Sequence, residues 1–186
     1  MRTRVSLFGL VAAVVAVACP ASAGLVGLSV GAYGGTSVSS LGDPDGGAVL
    51  GAKVRATLPG GFLAVEASYT RVSSEDAQSF WSDVSAETVL DGDGTELYSA
   101  DVLLGGPGAP SPFRWFLVAG LNARDLSDLG GEGGVEPGGQ AGIGIEIGAP
   151  VTGLSLELRG MLRWLDWSKP GDDGYATATC GLNYAF

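Results

Sequence analysis

Apolar and polar side chains alternate along most of this chain, one position after another. In the segment 48–58, apolar residues occupy every second position, and Lys53 and Arg55 lie between them. Successive side chains of a β-strand point to opposite faces of a sheet. The alternation therefore predicts strands that each have one apolar face and one polar face.

This period of two recurs in eight segments of the chain. They are residues 25–34, 48–58, 62–71, 95–104, 113–123, 141–148, 154–164 and 175–186. The connections after the second, fourth and sixth segments are shorter and rich in Gly and Pro, whereas the other connections are longer and acidic. An even number of strands with alternating short and long connections is typical of outer-membrane barrels. The predicted fold class is all-β, an eight-stranded antiparallel up-and-down transmembrane β-barrel.

The charges on the polar faces indicate which face points inward. Alternation alone also fits a soluble, lipocalin-like barrel, in which the apolar face fills the interior. The polar faces carry few charges, and basic and acidic groups nearly balance, as a packed interior of ion pairs would require. We therefore predict an interior charge network of Lys53, Arg55, Glu66, Asp101, Arg114, Glu146, Glu157, Arg159 and Arg163.

Aromatic residues on the apolar faces give a second indication of a membrane barrel. Most of them lie near strand ends, where outer-membrane barrels place two interfacial girdles. The alternative is the general enrichment of aromatic residues in strands. The predicted interfacial aromatics are Tyr69, Tyr98, Trp115 and Trp164, with Tyr184 and Phe186 on the apolar face of the last strand.

With its eight strands and its final residues Tyr184, Ala185 and Phe186, the chain resembles the small outer-membrane barrels of the OmpA and OmpX type. The resemblance covers residues 24–186. It implies that Tyr184 and Phe186 belong to an assembly signal, which the barrel-assembly machinery reads. It also implies outer-membrane lipids as partners and a monomeric barrel.

The N-terminus predicts export from the cytoplasm. Arg2 and Arg4 precede an apolar stretch, and Ala23 ends a run of small residues. This pattern predicts a signal peptide, residues 1–23, followed by the barrel domain, residues 24–186, in the bacterial outer membrane. The stretch is shorter than the ~20 residues that a spanning helix needs. Lipidation at Cys19 is a further alternative, although the usual Leu three positions earlier is replaced by Ala16.

The composition argues against catalysis. The chain has no histidine, so a Ser or water nucleophile would lack its usual activating base. Close acid pairs such as Asp91 with Asp93, and Asp172 with Asp173, lie in predicted loops that would be open to water. We therefore expect no enzyme activity, no cofactor and no metal site in the barrel. Cys180 is treated as a small apolar residue.

Acidic residues are concentrated in the predicted loops. They are Asp43, Asp45, Glu75, Asp76, Asp83, Glu87, Asp91, Asp93, Asp125, Asp128, Glu132, Glu136, Asp166, Asp172 and Asp173. Such a surface is a poor match for nucleic acid. An extracellular ligand or divalent cations could bind there, and the alternative is a rim of solvated acids without a partner.

These observations predict a non-enzymatic outer-membrane barrel with a polar, plugged interior and a structural or surface-interaction role. The alternative is a narrow channel for small solutes, as in OmpW-like barrels. Apolar side chains among the predicted interior positions favour that alternative, namely Leu97, Leu103, Phe116, Val118 and Met161.

Overall fold

A computed structural model describes residues 27–39, 47–76, 94–106, 111–125, 135–149, 152–164 and 174–186. They form eight strands: β1 (Gly27–Ser39), β2 (Gly47–Thr57), β3 (Leu63–Asp76), β4 (Gly94–Leu104), β5 (Phe113–Asp125), β6 (Val135–Gly148), β7 (Leu154–Trp164) and β8 (Gly174–Ala185). Each strand pairs antiparallel with the next, and β8 pairs with β1, which closes the barrel. The predicted eight-stranded up-and-down barrel is confirmed. No helix in the described part of the chain is long and apolar enough to span a membrane.

Several strands extend beyond the segments predicted from the alternation. β6 begins at Val135 instead of residue 141, and β3 continues to Asp76. Arg124 and Glu136, which we predicted in a loop, are direct partners on β5 and β6. Glu75, Asp76 and Asp125 likewise belong to strands. The prediction failed there because backbone pairing continues past the apolar band, where side chains no longer alternate.

Short connections join the strands at one end of the barrel, which we call the short-turn end. Between β2 and β3, the N–H of Leu58 donates to the carbonyl oxygen of Leu63 over 2.8 Å. Gly60 and Gly61 have φ of 89° and 72° in this turn, a region that favours glycine. The connections at the opposite end, the long-connection end, comprise residues 40–46, 77–93, 126–134 and 165–173, which lie outside the described residues.

The strands are staggered around the barrel. A path of directly opposite partners leaves β1 at Ser29 and returns to β1 at Ser39, nearer the long-connection end. It passes through Arg55, Glu66, Asp101, Gly120, Gln140, Arg163 and Tyr175. A closed barrel requires such a stagger together with tilted strands. Residues late on this path therefore lie closer to the long-connection end than residues early on it.

The apolar face of the strands points outward. Ile143 and Leu158 are 54% and 49% exposed, whereas Lys53, Arg55 and Glu66 are buried. In a soluble barrel the apolar face would fill the interior instead. The barrel therefore has the arrangement of faces that lipid requires. The region predicted as a signal peptide lies outside the described residues.

Candidate functional site

The short-turn half of the lumen contains one connected set of ion pairs, which we call the ionic cluster. It joins residues of β2, β3, β5, β6 and β7: Lys53, Arg55, Glu66, Arg114, Glu146, Glu157 and Arg159. The side chains of Lys53, Arg55, Glu66, Glu146 and Glu157 are between 0% and 5% exposed. Seven of the nine predicted network residues thus meet in the lumen.

Arg55 is the centre of the ionic cluster because its guanidinium contacts three carboxylates. Its Nε donates to Glu66 Oε2 over 3.0 Å, and its Nη1 donates to Glu146 Oε2 over 2.7 Å. Its Nη2 donates to Glu157 Oε2 over 2.5 Å. A planar guanidinium with five N–H donors suits this role, which the single ammonium of a lysine could not fill.

Three further cations complete the pairing. Arg114 donates from Nη2 to Glu146 Oε1 over 2.9 Å. Arg159 donates to both oxygens of Glu66, over 2.6 and 3.1 Å, and its Nη2 lies 2.9 Å from Glu157 Oε1. The Nζ of Lys53 lies 2.5 Å from Glu157 Oε1. Two-point contacts of this kind are among the stronger hydrogen bonds in proteins.

Neutral side chains add hydrogen bonds to two carboxylate oxygens that already accept from Arg55 and Arg114. Asn183 donates from Nδ2 to Glu157 Oε2 over 3.2 Å, and the hydroxyl of Ser155 donates to Glu146 Oε1 over 2.5 Å. Sequence reasoning did not identify either residue, although both occupy inward positions of their strands. The signal available was their place on the polar face, which many other residues share.

An aromatic side chain packs against the ionic cluster from inside the lumen. The ring of Phe116 is fully buried, and the guanidinium carbons of Arg55 and Arg159 lie 5.3 and 5.5 Å from its centroid. Such cation–π contacts favour a charged group over an aromatic face. Gly144, opposite Phe116 on β6, leaves the space for the ring, since a Cβ there would lie 2.3 Å from it.

The apolar lumen residues that favoured a channel pack together. Leu103, Phe116, Val118 and Met161 form one buried cluster with Ala64, and Leu97 is also fully buried. All five of these predicted lumen residues are therefore buried inside the barrel.

Two predicted network residues lie outside the ionic cluster. Asp101 Oδ1 accepts a hydrogen bond from Gln140 Nε2 over 2.5 Å. Arg163 donates to Thr70 Oγ1 over 3.3 Å, and Thr70 in turn shares a 2.6 Å hydrogen bond with the hydroxyl of Tyr33. Neither Asp101 nor Arg163 forms an ion pair with any residue that the structure describes.

The outward aromatic residues lie towards both ends of the barrel. Tyr69 and Tyr98 are direct partners towards the long-connection end, with ring centroids 5.5 Å apart, and Trp164 ends β7 at the same end. Trp115, Tyr184 and Phe186 lie at the short-turn end, where the rings of Tyr184 and Phe186 pack edge to face at 5.1 Å. Phe62 and Phe113, which we had not included, are exposed at the same end.

Metal-binding chemistry is not apparent in the described strands and turns. Over these residues, no group of three or more His, Cys, Asp and Glu side chains is suited to hold a metal ion. Cys180 is a free, exposed thiol on the outer face of β8. The loop acids proposed for divalent cations fall mainly outside the described residues.

No protein-family model matches the chain, and no curated protein matches it. Among solved structures, the N-terminal β-barrel domain of OprF from Pseudomonas aeruginosa matches with a TM-score of 0.56 at 14% identity, covering 85% of this chain and 97% of that chain. A major outer membrane protein from Thermus thermophilus matches with a TM-score of 0.54 at 14% identity, covering 87% and 99%. Neisserial surface protein A matches with a TM-score of 0.50 at 17% identity, covering 87% and 97%.

These proteins share the strand number and the barrel closure described above. At these identities the likeness establishes the fold and no more. The chain therefore has the fold of the small eight-stranded outer-membrane β-barrels.

Proposed function

We propose that this protein is a non-enzymatic barrel of the bacterial outer membrane whose lumen is closed by the ionic cluster. The observation that carries the proposal is the burial of the cluster: its central side chains, those of Arg55 and Glu66, are 3% and 0% exposed. A conducting pore needs water beside the charges that line it. Charged side chains that are buried against one another form a plug instead.

A structural or surface role fits this lumen better than catalysis. The carboxylates of the ionic cluster are already paired with basic groups, so none is free to act as a general base. No histidine exists anywhere in the chain to activate a nucleophile. Because one fold can carry many functions, this argument depends on the side chains and not on the likeness to other barrels.

The long-connection end is the proposed contact surface. With the short turns in the periplasm, these connections face the cell exterior, as in other outer-membrane barrels. They carry most of the acidic residues of the chain. An extracellular ligand with basic groups, or divalent cations between the barrel and lipid phosphates, would complement that charge. We propose that the barrel acts there as a monomer.

Assembly would follow the route of other outer-membrane barrels. The predicted signal peptide would direct export. The exposed side chain of Phe186, which is 79% accessible just after β8, would be available to the barrel-assembly machinery. Its backbone N–H donates to the carbonyl oxygen of Leu28 over 3.0 Å, which joins this end of the chain to β1.

Ion flux through the purified barrel tests the plug. The protein is reconstituted into planar lipid bilayers and into liposomes loaded with potassium, and we expect neither steady conductance nor potassium release. A variant with Glu66→Gly and Arg159→Gly removes a cation and the carboxylate that it contacts together, and it should conduct, which shows that the assay detects an open lumen. Steady conductance of the unmodified protein would favour the channel instead and would overturn the plug.

A further inference from the structure

The long-connection half of the lumen contains hydrogen-bond donors that have no acceptor among the described protein atoms. On β7 and β8 they are the Nε of Arg163, the hydroxyl of Tyr175 and the hydroxyl of Thr177. Arg163 and Thr177 are 4% and 3% exposed. Because buried polar groups nearly always have a partner, three such groups together indicate that something other than the described protein atoms satisfies them.

These three groups form one contiguous surface, which we call the donor patch. Arg163 and Tyr175 are direct partners on β7 and β8, and Thr177 is the next inward-facing residue of β8. Both Arg163 and Tyr175 fall late on the staggered path around the barrel. The donor patch therefore lies towards the long-connection end, away from the ionic cluster.

No carboxylate of the described residues forms an ion pair with Arg163, although Asp101 is near enough to interact with it electrostatically. Four cations of the ionic cluster share three glutamates, and Asp101, which lies directly opposite Glu66, adds a fourth carboxylate to that side of the lumen. Arg163 is a further buried cation, and it donates to the uncharged hydroxyl of Thr70. A buried charge without a partner is strongly destabilising.

We propose that the donor patch binds one small monovalent anion of about the size of chloride. A single anion can accept from the guanidinium and from both hydroxyls, which rotate freely to donate. It also neutralises the charge of Arg163, which a water molecule does not. The narrow interior of an eight-stranded barrel limits the ligand to a small ion.

Acceptor atoms on the opposite side of the lumen favour an anion position next to β7 and β8. Asp101 Oδ2, Asn122 Oδ1 and Gln140 Oε1 are acceptor atoms on β4, β5 and β6, and each lacks a donor among the described residues. The two amide groups are oriented by their own donated hydrogen bonds, from Gln140 to Asp101 and from Asn122 to the carbonyl oxygen of Gly139. This wall also carries two donors without a partner in the described part of the chain, the hydroxyl of Ser99 and the Nε of Arg124. Its acceptor atoms repel an anion, whereas the three groups of the donor patch can all donate to one.

Thermal unfolding in two sodium salts tests the proposal. The refolded barrel in detergent is heated at constant ionic strength while sodium gluconate, whose anion is too bulky to enter, is replaced by sodium chloride. Binding to the folded state alone raises the unfolding midpoint with chloride concentration until the site is full. We expect this saturable rise for the unmodified protein, its loss in Arg163→Gln, and a weaker apparent chloride affinity in Thr177→Val.

Thr177→Val is the more decisive variant because it keeps the side-chain shape and removes a hydroxyl that has no partner among the described atoms. Arg71→Gln is the matched control: Arg71 lies at an outward position of β3, opposite Glu96, and this variant should keep the chloride response. Equal midpoints of the unmodified protein in both salts would overturn the proposal. An unchanged response in both Arg163→Gln and Thr177→Val would overturn it too, because chloride would then act elsewhere.

A crystal soaked in sodium bromide locates the ion directly. An anomalous peak in contact with Arg163 Nε and the Thr177 hydroxyl is the expected result. If only water occupies the donor patch, the proposal is overturned. A lower unfolding midpoint of Asp101→Asn would then indicate that Asp101 neutralises Arg163 through water.

Discussion

Glu146 and Glu157 lie directly opposite each other on β6 and β7, with both carboxylates buried in the lumen. Like charges in direct cross-strand positions destabilise a sheet. Here the guanidinium of Arg55 spans the pair, since Nη1 lies 2.7 Å from Glu146 and Nη2 lies 2.5 Å from Glu157. A residue of a third strand, β2, thus offsets the repulsion between one pair of residues on β6 and β7.

Replacing Arg55 should therefore strongly destabilise the barrel. Arg55→Met leaves Glu146 and Glu157 buried and unbridged, and removal of one partner from a buried ion pair costs about 3–5 kcal/mol. Urea unfolding in detergent, followed by tryptophan fluorescence, measures the free energy of unfolding. Arg114→Met is the control. Because the Arg114 side chain is 15% exposed, this variant should lower the free energy of unfolding less than Arg55→Met does. Adding Glu146→Gln to Arg55→Met should cost less than the sum of the single changes.

An arginine on the outer face should cost more in the middle of a strand than at its end. Leu158 and Leu154 both point outward from β7, but Leu154 begins the strand at the short-turn end. Leu158→Arg should lower the free energy of unfolding in lipid by about 2–4 kcal/mol, and Leu154→Arg by about 0–1 kcal/mol. The measurement is urea titration in phosphatidylcholine vesicles. Equal costs at the two positions would contradict a membrane-spanning orientation of β7.

Two glycines should respond in opposite ways to the same substitution. A Cβ at Gly144 would lie 2.3 Å from the ring of Phe116, whereas a Cβ at Gly160 would meet nothing within 4 Å. Gly144→Ala should cost about 1–3 kcal/mol through overpacking. Gly160→Ala should be neutral or stabilise by roughly 0.5 kcal/mol, because it removes a flexible residue from a strand. The midpoint of urea unfolding compares the two, and a loss at Gly160 equal to that at Gly144 would show that the ring contact is not the cause.

Phe186→Asp should impair assembly in cells more than it impairs folding in a test tube. The side chain is exposed, so its burial contributes little to the folded barrel. Heat-modifiable migration of the membrane fraction measures assembly, and refolding of urea-denatured protein into detergent measures folding without the machinery. Phe62→Asp is the control, since Phe62 is an exposed aromatic of the same end. If both variants assemble equally well, Phe186 is not part of an assembly signal.

The connection between β5 and β6 should be dispensable for insertion. Replacing residues 126–134 by a short Gly-Ser linker leaves Asp125 and Val135, which are direct partners at the strand ends. Loops of this kind contribute little to the core. Heat-modifiable migration should show normal assembly. A deletion that also removes Asp125 and Glu136 takes strand residues and should assemble less well, and equal behaviour of the two deletions would contradict the observed strand ends.

The number of strands and the division of each strand into two faces could be read from the chain because alternation is a local property. Leu158 and its neighbour Glu157 point to opposite faces whatever the rest of the chain does, as long as the segment is a strand. The near balance of basic and acidic groups on the polar faces then indicated that Glu157 points inward. The balance of the interior charges was visible for the same reason. The strand ends of β3 and β6 were not visible, since backbone pairing there no longer depends on alternation.

Contacts across the lumen depend on the stagger with which the barrel closes. Shifting the partners of one strand would give Arg55 other neighbours than Glu146 and Glu157, although every residue would keep its identity. The stagger results from the packing of all eight strands together, including the space that Gly144 leaves for Phe116. It brings seven of the nine interior charges into one cluster and leaves Arg163 beside Tyr175 and Thr177. No local pattern distinguishes Arg163 from Arg159, because the difference between them lies in the side chains that the closed barrel places opposite each one.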